Sequence, residues 1–256
     1  MASAIAHRLS VCHFSVVMTE IPFPTVIRRE VSFAQAVFSG EMTVEGVRAI
    51  LVQKEKVREV LDRGHIALLI DPKAEIIDSL KPDVVVDAIL AKRNLGTRIT
   101  EAPLVVAVGP GFKAGEDVHY CIETMRGHHL GRVITQGSAL PDTGIPGEIG
   151  GHTKERVLRA PRQGILKSKK SIGERVDKNE IIGYIDSEPI SATLSGVLRG
   201  IVQDGCVCDA GMKIGDIDPR GMPEYCRQIS DKARSVAGGV LEAVVRSSIV
   251  QAVGRK

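Results

Sequence analysis

Residues 104–151 read LVVAVGPGFKAGEDVHYCIETMRGHHLGRVITQGSALPDTGIPGEIGG. The apolar run 104–108 stops at Gly109-Pro110-Gly111, and residues 118–125 follow with helical spacing. A strand that enters a glycine turn and leaves in a helix lets main-chain N–H groups approach an anionic ligand. The stretch also holds Asp117, His119, Cys121, Glu123, Arg126, His128 and His129, the densest set of site-forming side chains in the chain. An active or ligand-binding site is therefore expected here.

In a helix over 118–125, His119 and Glu123 lie four apart on one face. That spacing suits a metal pair, or an imidazole oriented by a carboxylate. His119, Glu123 and Arg126 are the catalytic candidates, and His119, Glu123 and His129 the metal candidates. Gly115, Asp117 and His128 belong with Gly109 and Gly111 among the groups that shape a ligand loop. The HExxH spacing of zinc proteases is absent, and an exposed helix with an ordinary His–Glu contact explains the same residues.

Outward from this stretch the pattern alternates. Strands are expected at 15–19, 49–52, 66–70 and 83–88, and helices at 2–9, 31–38 and 54–62. Strands separated by helices predict a doubly wound, mainly parallel sheet, whose ligands sit beyond the strands' carboxyl ends. That edge gathers Glu20, Asp71, Asp87, Lys92, Asn94 and the Gly109 turn. Glu20 stands where a ribose-binding acid would stand, but the strand and glycine loop that should precede it are not in this sequence, so the chain is expected to start inside the first helix. Arg28-Arg29 offer a bidentate clamp for phosphate or carboxylate.

Composition bounds the function. Apolar residues make up 43%, charged residues 25% and aromatics 3%, with no Trp, so the core must rest on aliphatic side chains. A net charge of +3 is too small to argue for nucleic acid, and the paired aromatics of single-strand binders are missing. No run approaches the roughly 18 apolar residues of a membrane span, and no leader pattern is present. Five scattered cysteines, an odd number, read as free thiols of a reducing, cytoplasmic compartment. Cys206 and Cys208 read as small buried fillers.

The second half of the chain repeats itself. Residues 164–186 (GILKSKKSIGERVDKNEIIGYID) and 196–218 (GVLRGIVQDGCVCDAGMKIGDID) align without a gap. They share Gly164/Gly196, Leu166/Leu198, Gly173/Gly205, Asp177/Asp209, Ile182/Ile214, Gly183/Gly215, Ile185/Ile217 and Asp186/Asp218. Each half is too small to close a core, so the two are expected to pack as a small antiparallel sandwich. The pattern resembles the barrel-sandwich hybrid of biotinyl and lipoyl domains. The hairpin between the halves (Asp186-Ser187-Glu188-Pro189-Ile190) lacks the carrier lysine, so neither biotin nor lipoate is expected. Residues 154–178 hold nine basic and three acidic side chains, a face able to dock an acidic partner or nucleotide. A long apolar stripe over 229–250 predicts a helix that returns to the α/β part, its Gly238-Gly239 marking a close backbone approach.

The expected fold is α/β: a Rossmann-like, mainly parallel domain (1–153, first strand missing), an all-β barrel-sandwich-hybrid domain (154–222) and a C-terminal helix (223–256). The segments VVMTEIPFPTVIRREVSFAQAVFSG, GPGFKAGEDVHYCIETMRGHHLGRVI, TGIPGEIGG, RVLRAP and GVLRGIVQDGCVCDAGMKIGDIDPR resemble the selenium-dependent molybdenum hydroxylase system proteins, the YqeB-like family. That resemblance implies an accessory protein in the maturation of such hydroxylases. Its implied partners are the hydroxylase or its maturation machinery, and its implied ligand is a nucleotide or molybdenum-cofactor intermediate. No nucleic acid or membrane is expected, and a homo-oligomer stays open. Cofactor-binding candidates are Glu20, Arg28, Arg29, Asp87, Gly109, Gly111, Gly115, Asp117 and His128. The other class of reading is a metal- or nucleotide-dependent transferase using His119 and Glu123, and the blandest is a scaffold.

Overall fold

The computed structural model describes residues 1–247; the end of the expected C-terminal helix, 248–250, and the rest of the chain to 256 lie outside them. The chain forms two compact units. The first comprises Met1–Thr19, Gln53–Gly144 and the chain from Ile229, and the second Glu20–Val52 and Ile145–Gln228.

In the first unit three short strands run parallel: Val84–Asp87, Leu104–Val108 and Tyr120–Ile122, in the register Asp87↔Ala107 and Val108↔Ile122. Val133–Ile134 closes their edge antiparallel. All five residues of Leu104–Val108 are buried, as expected for a strand covered on both faces. Val105 and Ala107 pack with Phe112, Ala114, Val118 and Cys121. The helix Asp231–Arg246 packs against the same strands, and Ala2–Val11 packs on that helix. Ser230 caps it, its Oγ accepting the Ala233 N–H at 3.3 Å. A Cβ on Gly239 would come within 2.0 Å of the Gly131 carbonyl, whereas one on Gly238 would meet nothing. One glycine of the pair thus admits the close approach, and Ser235 Oγ donating to the Leu130 carbonyl at 3.0 Å fixes it.

The second unit is built on the repeat. Gly164–Ser168, Arg175–Val176 and Ile181–Ile185 recur as Gly196–Ile201, Val207–Cys208 and Lys213–Asp218. Within each half the first strand pairs antiparallel with the third. The middle strand crosses over: Arg175–Val176 joins Gly196–Ile201, while Val207–Cys208 joins Gly164–Ser168. Each half therefore completes the other's sheet, and Glu188–Ser191 and Val157–Arg159 supply the outer edges. Leu166/Leu198, Ile182/Ile214 and Ile185/Ile217, the identical apolar pairs, are all essentially inaccessible. They form one core with Ile201, Cys206, Cys208 and Cys226. Burial pushes the Cys208 thiol up to about 12, with the neighbouring Cys206 adding to the shift, as befits an inert filler.

The architecture corrects the expected fold class. The described residues carry four small four-stranded sheets, not one doubly wound parallel sheet. Nor is the repeat a free-standing biotinyl/lipoyl-like domain, because Glu20–Val52 folds into the same compact unit. Within that segment Glu41–Val44 and Val47–Leu51 make a hairpin closed by Glu45-Gly46, both at positive φ. This is the two-residue turn that matches strand twist. The helix expected over 31–38 breaks into the 3-10 turns Arg29–Val31 and Phe33–Gln35 and a single turn, Ala36–Ser39. Residues 118–125 are not helical either, since Tyr120–Ile122 is claimed by parallel pairing with Val106, Ala107 and Val108. Tertiary strand pairing outweighs a local helical spacing over so few residues.

Gly183 packs on main chain, where a Cβ would lie 2.7 Å from the Lys167 carbonyl. Gly183→Ala is accordingly expected to cost about 1–3 kcal/mol and Leu198→Ala about 2–5 kcal/mol. Urea unfolding of both variants beside the parent checks the two values.

Candidate functional site

Parallel pairing brings Asp87, Val108 and Ile122 to one edge, so the segments leaving these strands share it. The segment after Val84–Asp87 bends back sharply, with Leu90 and Lys92 at φ +62° and +64°. Left-handed conformations at such residues are costly and cluster where a loop is shaped for a task. Gly111 takes φ +108°, and a Cβ there would stand 2.5 Å from the Arg93 nitrogen. The Gly109-Pro110-Gly111 turn therefore lies directly on residues 92–93, and only glycine permits the contact.

Glu123 joins the next two loops. Its side chain is buried; Oε1 accepts the N–H groups of Thr124 and Met125, both at 2.7 Å, and Oε2 accepts that of Leu140 at 2.9 Å. One carboxylate thus ties the turn after Tyr120–Ile122 to residues 138–142. Residues 138–142 face Lys92 and the Pro110-Gly111 turn across a shallow hollow of about 490 Å³ lined by Lys92, Pro110, Gly111, Ser138, Ala139, Pro141 and Asp142. Lys92 Nζ meets Asp142 Oδ2 at 2.5 Å, and the same oxygen accepts the Gly144 N–H at 3.1 Å. The Lys92 hydrogen bond holds the Asp142 carboxyl below its ordinary range. Lys232 lies within electrostatic reach of Asp142 and Glu123, its ammonium pulled down first by burial and then by Arg126. Arg126 is itself bound bidentately to Asp231, at 2.8 and 3.1 Å. The charged groups that line the hollow are thus the pair Lys92 and Asp142.

A second hollow in the same unit, about 530 Å³, is lined by Asn94, Gly96, Thr97, Arg98, Ile99, Thr100, Glu116 and Asp117. Thr97 Oγ1 donates to Asp87 Oδ2 at 2.7 Å, while Asn94 Oδ1 accepts the N–H groups of Gly96 and Thr97, both at 2.8 Å. Asp117 Oδ2 accepts the Lys113 N–H at 2.8 Å, and the Gly115 N–H donates to the Val118 carbonyl at 2.8 Å. Gly115 and Asp117 thus build a turn beside this second hollow.

Other expected site residues are drawn elsewhere. His119 Nδ1 accepts the Val105 N–H at 3.0 Å, so its ring is tied to the sheet. His128 and His129 are exposed. Among the described residues no group of three or more His, Cys, Asp or Glu side chains is placed to hold a metal ion, and the paired spacing of His119 and Glu123 builds no such centre. Arg28 and Arg29 lie in the second unit and spend their donors on carbonyls. Arg28 bonds those of Tyr225 (2.6 Å) and Gln228 (2.9 Å), and Arg29 Nε that of Ile201 (2.8 Å). Burial, with Arg199 adding its repulsion, lowers the Arg28 guanidinium to about 10. Arg29 thus ties Glu20–Val52 to the repeat and Arg28 ties it to the segment after the repeat, because a guanidinium finds carbonyl acceptors as readily as an anion. Glu20 Oε2 accepts the Ile21 N–H at 2.8 Å, and burial raises its carboxyl. Asp142 and Lys232 went unrecognised in the sequence. Pro141-Asp142-Thr143-Gly144 is a turn signature that could have found the first, whereas nothing local marks the second.

With this geometry in hand, relatives can be compared. No family model matches the chain. It is 51% identical over 246 residues to "Uncharacterized protein YqeB" of Escherichia coli K12, covering 96% of this chain and 46% of that protein. The similarity supports the YqeB-like family. The chain spans about half the length of that YqeB protein. Among solved structures, faint likenesses extend to a succinylglutamate desuccinylase/aspartoacylase of Rhodobacter sphaeroides and an aspartoacylase family protein of Mesorhizobium loti. Identities are 13% and 10%, TM-scores 0.25 and 0.27, and each likeness covers 79% of this chain and 84% of the other. The ectoine utilization protein EutE of Ruegeria pomeroyi stands at 11% and 0.25, with the same coverage. These likenesses are too faint to argue from. The similarity to YqeB does not support the expected part in molybdenum hydroxylase maturation, and four small sheets stand in place of the Rossmann-like and barrel-sandwich descriptions of the fold.

If Glu123 serves as the clasp of the two loops, Glu123→Gln should lower unfolding free energy by about 2 kcal/mol or more, because its amide turns a donor toward N–H groups that need acceptors. The bound-metal content should be the same in both proteins. Chemical denaturation and elemental analysis of the two measure this, and a variant of parental stability that loses metal would reverse the assignment.

Proposed function

We propose that this chain is a ligand-binding protein that seats a small anion, of the nucleotide or carboxylate kind, in the hollow beyond the carboxyl ends of its parallel strands. The observation that carries this reading is Lys92: a cation on a left-handed backbone, at the mouth of a glycine-built hollow, held by a carboxylate from the facing loop. Asp142 occupies the place an anionic ligand would take. Its bond to the Gly144 N–H also indicates the recognition expected, an ammonium group and a main-chain N–H sharing one oxygen.

A binding role, in preference to transferase chemistry, is supported by the engagement of His119 and Glu123 with main-chain N–H groups. The cytoplasmic setting is supported by five cysteines that are all free thiols. Among the described residues no helix is long and apolar enough to cross a membrane. The activity of the longer YqeB-like protein, of which this chain matches about half, rests on the same proposal.

Because the Asp142 carboxyl titrates below its ordinary value in the folded protein, its pair with Lys92 is intact at neutral pH. The pair is lost as pH falls through that lowered value. Calorimetric titration with adenosine diphosphate, and separately with succinate, tests the reading. At least one probe should bind saturably, Lys92→Gln should weaken it about tenfold or more, and Asp142→Asn should tighten it several-fold by freeing the ammonium. Absence of binding by both probes, or equal binding to the Lys92 variant, rejects the site.

A further inference from the structure

The second unit presents a sheet face that nothing in the chain's proposed ligand binding uses. In the sheet ordered Glu188–Ser191, Ile181–Ile185, Gly164–Ser168, Val207–Cys208, side chains alternate between core and surface. Leu166, Ile185, Ile190 and Cys208 point into the core. The opposite face carries two cross-strand rows. Ile165 stands opposite Val207, and Lys167 opposite Tyr184, which in turn stands opposite Pro189. Ile165 and Val207 are 52% and 65% exposed, an adjacent aliphatic pair left in solvent where the edge strand Val207–Cys208 meets Gly164–Ser168. Lys169 lies over the Tyr184 ring, 5.1 Å from its centroid.

Charge on this face is uncompensated by pairing. Lys170 is bound by Glu174 and Glu180, but among the described residues Lys167 and Lys169 make no ion pair. On the adjoining turns Asp186 Oδ1 accepts the Ile165 N–H at 3.0 Å and Asp204 Oδ1 the Ser168 N–H at 2.9 Å. Residues 154–178 carry nine basic against three acidic side chains, whereas the entire chain has a net charge of only +3. Of those nine, Lys167 and Lys169 stand exposed at this face, whereas Arg156 is buried against Asp216 and Arg159 and Arg175 lie on strands of the other sheet.

We propose that this face is a docking surface for a protein partner that offers an acidic segment with aliphatic side chains. Its carboxylates would meet Lys167 and Lys169, and its aliphatic groups would cover Ile165 and Val207. Charge complementarity selects the partner's sign, and the exposed aliphatic pair selects side chains over a nucleic-acid strand. Single-strand binding needs open aromatic platforms, and on this face the one aromatic ring is already covered by an ammonium group. The surface shares no residue with the Lys92 hollow, so neither assignment depends on the other.

Fluorescence anisotropy on the whole chain tests it, with a labelled synthetic peptide of alternating glutamate and leucine as probe. A peptide of alternating glutamine and leucine and a single-stranded oligothymidylate serve as controls. The Glu-Leu peptide should bind saturably and both controls at least about tenfold more weakly. The double charge reversal Lys167→Glu with Lys169→Glu should weaken the peptide about tenfold or more. Val207→Asp should weaken it at high salt, where the charged contacts are screened and the aliphatic ones remain. All three substitutions are at exposed positions, and circular dichroism confirms their folding. Failure of the Glu-Leu peptide to bind, binding indifferent to these substitutions, or tighter binding of the oligonucleotide overturns the proposal. So does sedimentation showing that the face is covered by a second copy of the chain.

Discussion

A single buried carboxylate organises the candidate site. Glu123 leaves the parallel strand Tyr120–Ile122 and at once accepts three main-chain N–H groups, two from its own turn and one from Leu140. A charged acceptor in a dry setting makes strong hydrogen bonds and is costly to leave unmatched. The turn and residues 138–142 are therefore held together wherever the strand goes. Asp142 reaches Lys92 from that position, so one wall of the hollow is fixed by the clasp on Leu140 and the other by the left-handed backbone at Leu90 and Lys92. The site thus hangs from the sheet through one side chain that takes no part in contacting a ligand.

The second unit rests on exchange. Neither half of the repeat owns a complete sheet, since each middle strand is paired in the other half. The six identical apolar positions of the two halves meet in one core, so burial and strand pairing reinforce one another and neither half gains either alone. Arg28 and Arg29 extend this principle to Glu20–Val52. Arg29 donates to the Ile201 carbonyl of the repeat and Arg28 to that of Tyr225 just after it, and a Cβ at Gly200 would meet the Ile27 carbonyl at 2.6 Å. These arginines are structural because the acceptors closest to them belong to the chain itself. Recognition in this unit is left to the outer face of the other sheet, where lysines and aliphatic side chains have no such partners.

Much of this was legible beforehand. Residues 104–108 and 66–70 could be read as strands from their unbroken apolar runs, and the repeat from identities that recur at a fixed spacing. Of the edge expected to gather Glu20, Asp71, Asp87, Lys92, Asn94 and the Gly109 turn, Asp87 and Gly109 do leave adjacent parallel strands, whereas Glu20 belongs to the other unit. The apolar register of the repeat named its core outright, and Gly238-Gly239 announced a close backbone approach. What misled was short-range periodicity. Over residues 118–125 and 31–38 an apolar spacing that fits a helix also fits a buried strand or a chain of turns, and partners distant in sequence chose between them.

The sequence by itself therefore determined the elements whose information is local or repeated: long apolar strands, glycine turns, the duplicated module and the stripe of the C-terminal helix. Tertiary structure alone decided which polar groups are available. His119, Glu123, Arg28 and Arg29 carry the chemistry of ligand and metal sites, yet each is consumed by main-chain groups brought close only by folding. Lys92, Lys167 and Lys169 look no different in the sequence from any solvated lysine. The reason is that a polar side chain's role depends on which donors and acceptors surround it, and in this protein those neighbours come from distant segments of the chain.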